Sequence, residues 1–395
     1  MAKTILPEPA AELKELSLQL CALIREELQL NGFMPFSRFM ELALYQPGLG
    51  YYSGGLHKLG ATGDFVTAPE LGSLFASCLA RQVEQVAEVL GNYAVLELGA
   101  GSGQLAFDLL QRMDPALAPQ NYFILERSAD LRAVQQQKLA GLGPPWQGRI
   151  QWLDEPPTSP WQGVLLGNEV IDALAVERFR MSAAGIEQAG VRLVADDRAG
   201  SPAFEWAYRA APMELLEAVE RLGLDFGTLE LPYQSELLAG LADWLTAVTG
   251  SLSRGVVLFC DYGYPRREYY LPERNDGTLI CHYRHRGHAD VFFWPGLQDI
   301  TAFVDFTALA EAGEACGLEL GGYTSQALFL LSCGLDQVLA QRLPLATDHG
   351  LQLHAEAKQL TLPGMMGERF QVMALQRALD IELRGFALGD LSYRL

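Results

Sequence analysis

A Rossmann-like α/β sheet, mostly parallel with helices on both faces, is the fold class the sequence predicts, and three observations point to it. Short apolar runs at residues 94–96, 121–125, 149–153, 163–167 and 256–260 alternate with stretches of helical periodicity. Strands buried on both faces read as such runs, because each face meets side chains rather than water. Glycine then stands at 99, 101 and 103, after the first run and before a helix-patterned segment at 104–113. Alternate glycines let the chain turn tightly and let a ligand lie on main-chain atoms. Glu97, Glu126 and Asp154 fall at the ends of the first three runs. Open α/β sheets bind ligands outside the carboxyl ends of their strands, so these acids mark a nucleotide-type cofactor seat.

At 395 residues the chain exceeds the ~250–300 residues that one core usually holds, so two domains or large insertions are expected. The expected division sets an N-terminal helical segment and site loop at 1–90 against a Rossmann-like domain at 91–395, with insertions near 177–232, 264–304 and 326–368. A formal net charge of −19 argues against nucleic-acid binding, because phosphate is neutralised by Lys and Arg. It suits a basic peptide or protein partner, and solubility alone explains it equally well. No apolar run reaches the ~18 residues of a membrane span. The six cysteines include no Cys-x-x-Cys pair, the pattern of reduced, buried thiols in a cytosolic enzyme. Glu8, Glu12 and Glu15 stand where a signal or transit peptide would be basic, so a cytoplasmic location is expected.

In chain order, Leu13, Leu16, Leu20, Ile24 and Leu28 predict an amphipathic helix over 8–30, stopped by Asn31-Gly32. A short helix over 34–45 follows. The Gly- and aromatic-rich stretch from there to Glu70 is too long for a connector and reads as a lid or ligand contact. It ends in Asp64, Thr67, Pro69 and Glu70. Thr followed by Pro and Glu is also a helix start, so Thr67 either caps a helix over 69–90 or meets a ligand, and the two are compatible. Beyond the glycine loop, 128–142 reads as a helix, and the fourth strand enters Asn168, Glu169 and Asp172. Residues 176–210 alternate apolar and polar, predicting an antiparallel insertion over the sheet. Then 232–250 reads as a helix, 265–299 as a loop, 305–316 as a helix, 318–323 as a strand, 326–341 as a helix and 370–375 as a closing strand. Cys281, His282, His285 and His288 match no standard zinc spacing, so no metal site is expected and the loop reads as substrate contact or solvated surface.

The glycine spacing selects a cofactor. Nicotinamide fingerprints run Gly-x-Gly-x-x-Gly, with a helix N-terminus against pyrophosphate. Here the order is Gly99-Ala-Gly101-Ser-Gly103, one residue shorter and preceded by Glu97. S-adenosylmethionine carries an ammonium and a sulfonium but no phosphate, so an acid beside the loop suits it and would repel pyrophosphate. Glu126, twenty-three residues past Gly103, stands where this architecture hydrogen-bonds ribose hydroxyls. Asp154 leaves the third strand where an adenine could be met.

These residues also resemble the MidA-like methyltransferases, the family that includes the mitochondrial complex I assembly methyltransferase. The resemblance rests on Phe39-Met-Glu-Leu-Ala-Leu-Tyr-Gln-Pro, Gly50-Tyr-Tyr, Gly63-Asp-Phe-Val-Thr-Ala-Pro-Glu, Glu97-Leu-Gly-Ala-Gly-Ser-Gly, Gly167-Asn-Glu-Val-Ile-Asp-Ala-Leu, Asp261-Tyr-Gly-Tyr and Gln298-Asp-Ile-Thr-Ala-Phe-Val-Asp-Phe. It implies a class I methyltransferase fold and, from the mitochondrial relative, arginine methylation of a protein substrate; the acceptor of this chain does not follow. A guanidinium stays protonated at neutral pH and is held best by carboxylates in paired hydrogen bonds. Glu169 and Asp172 fit that role with Asn168 orienting, and Asp64 and Glu70 are further candidates; alternatively, Asp172 caps a following helix and Glu169 is structural. Three functions stay open: a protein arginine methyltransferase, an assembly factor that binds S-adenosylmethionine without turnover, and a small-molecule methyltransferase.

Overall fold

Buried apolar strands alternating with amphipathic helices build the central sheet of the computed structural model, which describes residues 6–54, 67–194, 204–225, 227, 229–342 and 348–395. The chain forms two compact units, one of Met1–Phe65, Asp172–Gly240 and Arg266–Phe303, the other of Val66–Ile171, Leu241–Pro265 and Val304–Leu395. Residues 67–90, expected with the N-terminal segment, therefore cluster with the sheet.

The sheet unit contains β1 (Ala94–Leu98), β2 (Asn121–Leu125), β3 (Ile150–Leu153), β4 (Trp161–Asn168), β5 (Leu252–Tyr264), β6 (Glu319–Ser325) and β7 (Phe370–Arg377). Their order is β6-β7-β5-β4-β1-β2-β3. β1 to β5 pair in parallel, whereas β7 runs antiparallel to β5 and to β6. Strand order reverses between β1 and β4, the switch point at which such sheets leave a crevice for ligands. Val95, Ile124, Val164, Leu166, Val256, Leu258, Val372 and Ala374 share one core with Leu79, Val83 and Val86 of the helix Leu74–Leu90. Burying each Val, Leu or Ile of that set stabilises the unit by roughly 1.5–3 kcal/mol.

Two expected helices break for local reasons. The one expected over 69–90 divides into Ala68–Leu71 and Leu74–Leu90. At the break, a Cβ on Gly72 would lie 2.2 Å from Glu356 Oε2, and Glu356 Oε1 accepts the Leu74 N–H at 2.6 Å. The long-range carboxylate thus caps the second helix. Likewise 326–341 divides into Gln326–Ser332 and Leu335–Arg342 at Gly334, whose left-handed φ of +82° and carbonyl bond from Arg81 end the first segment.

The other unit holds the helices Ala11–Asn31 and Phe36–Tyr45, the first closed by Gly32 in the left-handed region. Its larger sheet contains Met34–Pro35, Glu177–Ser182, Gly185–Leu193, Phe204–Ala210 and Tyr233–Leu237, all paired antiparallel. Tyr233–Leu237 is a strand where a helix was expected, because its backbone completes the ladder against Glu177–Met181, and only Leu241–Thr249 is helical. The stretch at 265–299 is not a plain loop either. Ile280–Tyr283, Arg286–His288 and Asp299–Thr301 form a three-stranded sheet. Arg284 and His285 both have positive φ, 49° and 60°, the geometry of a two-residue hairpin turn. Cys281 is thereby buried in this unit's core. Among the described residues no helix is long and apolar enough to cross a membrane.

Candidate functional site

The loop leaving β1 sets Gly99, Gly101 and Gly103 at φ 57°, 54° and 79°, a region that side-chain-bearing residues avoid. The turn is tied back by the Gly99 N–H on Leu125 O at 3.2 Å and the Gly103 N–H on Ala100 O at 2.7 Å. Glu97 is buried, at 3 % exposure, and accepts the Tyr122 hydroxyl at 2.8 Å. Burial pushes its carboxyl up to about 7; the Tyr122 bond opposes the rise and the neighbouring Glu126 charge adds to it. Glu126 is also buried and also raised by burial. Its Oε1 accepts the Ser128 N–H at 2.9 Å, and its Oε2 accepts Gln135 Nε2 at 3.0 Å. The same Gln135 nitrogen donates to Gly101 O at 2.9 Å, and Trp152 Nε1 donates to Gln135 Oε1 at 2.9 Å.

The remaining expected cofactor residues divide. Glu70 is brought to the glycine loop, where Ser102 Oγ donates to its carboxylate and Lys138 Nζ reaches Ser102 Oγ at 3.3 Å. Pro69 is buried in the first turn of Ala68–Leu71. Thr67 occupies that helix's N-cap position, but its hydroxyl makes no capping bond. Asp154 is exposed and pairs with Arg132 Nη2 at 2.7 Å, and that nitrogen also donates to Glu126 O at 2.6 Å. Asp64 lies outside the described residues.

At the end of β4, Asn168 Nδ2 donates to Glu169 Oε1 at 3.2 Å, and Asn168 Oδ1 is buried without a hydrogen-bond partner among the described residues. Glu169 holds φ +53°, which costs a residue with a Cβ about 1–2 kcal/mol. Asp261, 1 % exposed on β5, secures this turn. Its Oδ2 accepts Val170 N at 3.2 Å and Ile171 N at 2.9 Å, and its Oδ1 accepts Tyr262 N at 2.9 Å. Sequence reasoning did not count Asp261 among the site residues, although an acid near the end of the fifth strand obeys the rule that selected Glu126.

Asp172 belongs to the other unit and is buried. Turns rather than a helix follow β4 there, so it does not cap one; its backbone carbonyl accepts Ala302 N at 3.0 Å. In the same unit the Tyr52 hydroxyl donates to Asp299 Oδ1 at 2.9 Å, and the Tyr52 ring stacks on Tyr45 with centroids 5.6 Å apart. Burial holds the Tyr52 hydroxyl well above its usual range, with the Asp299, Tyr45 and Asp172 charges adding to the rise.

A glycine turn free of side chains, two buried carboxylates and the orphaned Asn168 oxygen fit a cofactor that offers hydroxyls and positive charge, and would repel a pyrophosphate. With a parallel sheet reversed at β1/β4 and closed by an antiparallel β7, they define a class I S-adenosylmethionine-dependent methyltransferase. The model of the Methyltransf_28 family, described as S-adenosyl-L-methionine-dependent methyltransferases, matches residues 78–324, more than half of the chain, and the chain belongs to that family. A superfamily member from Burkholderia thailandensis, crystallised with S-adenosylhomocysteine, is 42 % identical with a TM-score of 0.91, over 99 % of this chain and 100 % of its own. The mitochondrial protein arginine methyltransferase NDUFAF7 homologue of Drosophila melanogaster is 25 % identical over 93 % of this chain and 87 % of its own length. NDUFAF7 of Danio rerio is 28 % identical over 87 % and 84 %. S-adenosylmethionine is thus this enzyme's cofactor. The expected cytoplasmic location is corrected by these relatives, which are named mitochondrial. Scattered reduced thiols report a reducing environment, not which compartment supplies it.

Proposed function

We propose that the chain methylates arginine side chains of a protein. The observation behind this reading is the Asn168–Glu169 turn, held by Asp261 at the carboxyl end of β4. A carboxylate beside an amide can take a planar guanidinium through paired bonds and leave one nitrogen exposed to the methyl group. The names of the curated relatives support the same acceptor. The cofactor supplies an electrophilic methyl on a sulfonium, so the protein's share is mainly orientation. Gly99, Gly101 and Gly103 cradle it, Glu126 takes the ribose hydroxyls and Glu97 faces the positive charge. Glu70, bonded to Ser102 of the loop, is assigned to the seat together with Thr67 and Pro69 of the same segment, Asp154 to the adenine, and Asp64 to the same set. Asp172 is proposed as an acceptor carboxylate on its sequence position alone.

The test is incubation of the protein with methyl-labelled cofactor and a cell lysate, followed by mass spectrometry of labelled bands. Label on protein arginine is the expected result. Label confined to small molecules, or to other residues, overturns the arginine reading.

A further inference from the structure

Gln135 is fully buried on the helix Ala129–Leu139, where an amide is stable only if its polar atoms are bonded. Indole N–H can only donate, so the bond from Trp152 requires the amide oxygen to face it. The amide orientation is therefore settled by chemistry rather than by fit. The amide nitrogen is left for Gly101 O at 2.9 Å and Glu126 Oε2 at 3.0 Å. Those acceptors belong to two different crossovers, the glycine turn after β1 and the acid after β2. The backbone adds a further contact: a Cβ on Gly103 would lie 3.3 Å from Gln135 Cα.

We propose that Gln135 is a positioning residue that clamps the glycine turn to the ribose carboxylate and so sets recognition of the ribose hydroxyls of S-adenosylmethionine. This rests on the reading of Glu126 as the ribose acid. A neutral donor suits the task. It stabilises the ionised carboxylate without supplying a counter-ion, and it leaves the carboxylate's other lone pairs for the sugar. Lys or Arg at 135 would neutralise Glu126 and compete with the ligand, and Glu would repel it. Because Glu126 is buried at a strand end and Gly101 lies in the turn tied to it, a shift of either changes the spacing that the nucleoside must match.

The experiment measures calorimetric affinities of the full chain for S-adenosylhomocysteine and its 2′-deoxy analogue. Wild type is expected to prefer the hydroxylated ligand by about tenfold or more, the scale of one hydrogen bond to a charged group. In Gln135→Met that preference collapses: S-adenosylhomocysteine weakens about tenfold and the deoxy analogue hardly changes. Trp152→Phe, which frees the amide to turn, gives a smaller loss of the same kind and carries the test if Gln135→Met does not fold. Equal weakening of both ligands, or an unchanged preference, overturns the inference alone. Absence of any preference in wild type overturns the ribose reading of Glu126, and the inference with it.

Discussion

Glu97→Gln removes the ionisation of one buried carboxyl while keeping its shape and an acceptor for the Tyr122 hydroxyl. Burial first, and the Glu126 charge after the opposing Tyr122 bond, raise the Glu97 carboxyl from 4.5 to about 7. A group raised on folding contributes stability that is fully present below its unfolded value, here near 4.5, and is lost as pH climbs through about 7. Each pKa unit corresponds to about 1.4 kcal/mol, so ionising Glu97 costs the folded cofactor-free protein roughly 3 kcal/mol by pH 8. Gln carries no such cost. Denaturant unfolding without cofactor is expected to show Glu97→Gln about 1–3 kcal/mol more stable than wild type at pH 8, with little difference at pH 5. Calorimetry at pH 8 is expected to show the opposite for function: on the proposed role of Glu97 beside the cofactor's cation, S-adenosylmethionine binds at least tenfold more weakly. On the same proposed role, proton and cofactor compete for Glu97 in wild type, and affinity should fall as pH drops below about 7. A variant less stable than wild type at pH 8 would refute the assignment of the raised carboxyl. Unchanged cofactor affinity would refute its facing the positive charge.

Gly101→Val forces a β-branched residue to φ +54° in the cofactor cradle, so titration with S-adenosylmethionine should give no binding heat where wild type binds at about micromolar concentration. Asp261→Ala strips the acceptor from the Val170 and Ile171 N–H groups, at about 1–3 kcal/mol for each buried donor left unsatisfied. Turnover with an arginine acceptor should fall at least tenfold while the KM for cofactor changes little; an equal rise in that KM would argue for a general collapse of the seat. Glu236→Leu removes a fully buried partner of Arg178, 3.3 Å away, and the acceptor of the Thr278 N–H at 2.8 Å. Exposed Asp276 still holds Arg178, so unfolding should show a loss of roughly 2–4 kcal/mol, and a neutral result would mean the pair contributes nothing.

The sheet strands and the glycine turn after β1 were legible because their determinants are local. Apolar runs such as 94–96 can be buried only as two-faced strands, Gly99, Gly101 and Gly103 carry their own backbone freedom, and acids at strand ends fall on the ligand edge wherever a parallel sheet forms. By itself the sequence determined the methyltransferase class. Contacts between residues remote in the chain decided the rest. Tyr233–Leu237 became a strand because a ladder partner far back in the chain was waiting, Glu177 opposite Leu237 and Phe179 opposite Ser235. Gly72 broke a helix because Glu356 lies against it. Asp261 carries no more signal than any strand-end acid until it is seen beneath the Val170 and Ile171 amides, and Gln135 is an ordinary helical residue until Gly101, Glu126 and Trp152 converge on its amide. A hydrogen bond across the fold leaves no periodicity in the residues that make it. The glycine turn could therefore be read from the sequence, while the bonds that hold it in shape appear only once the chain has closed around them.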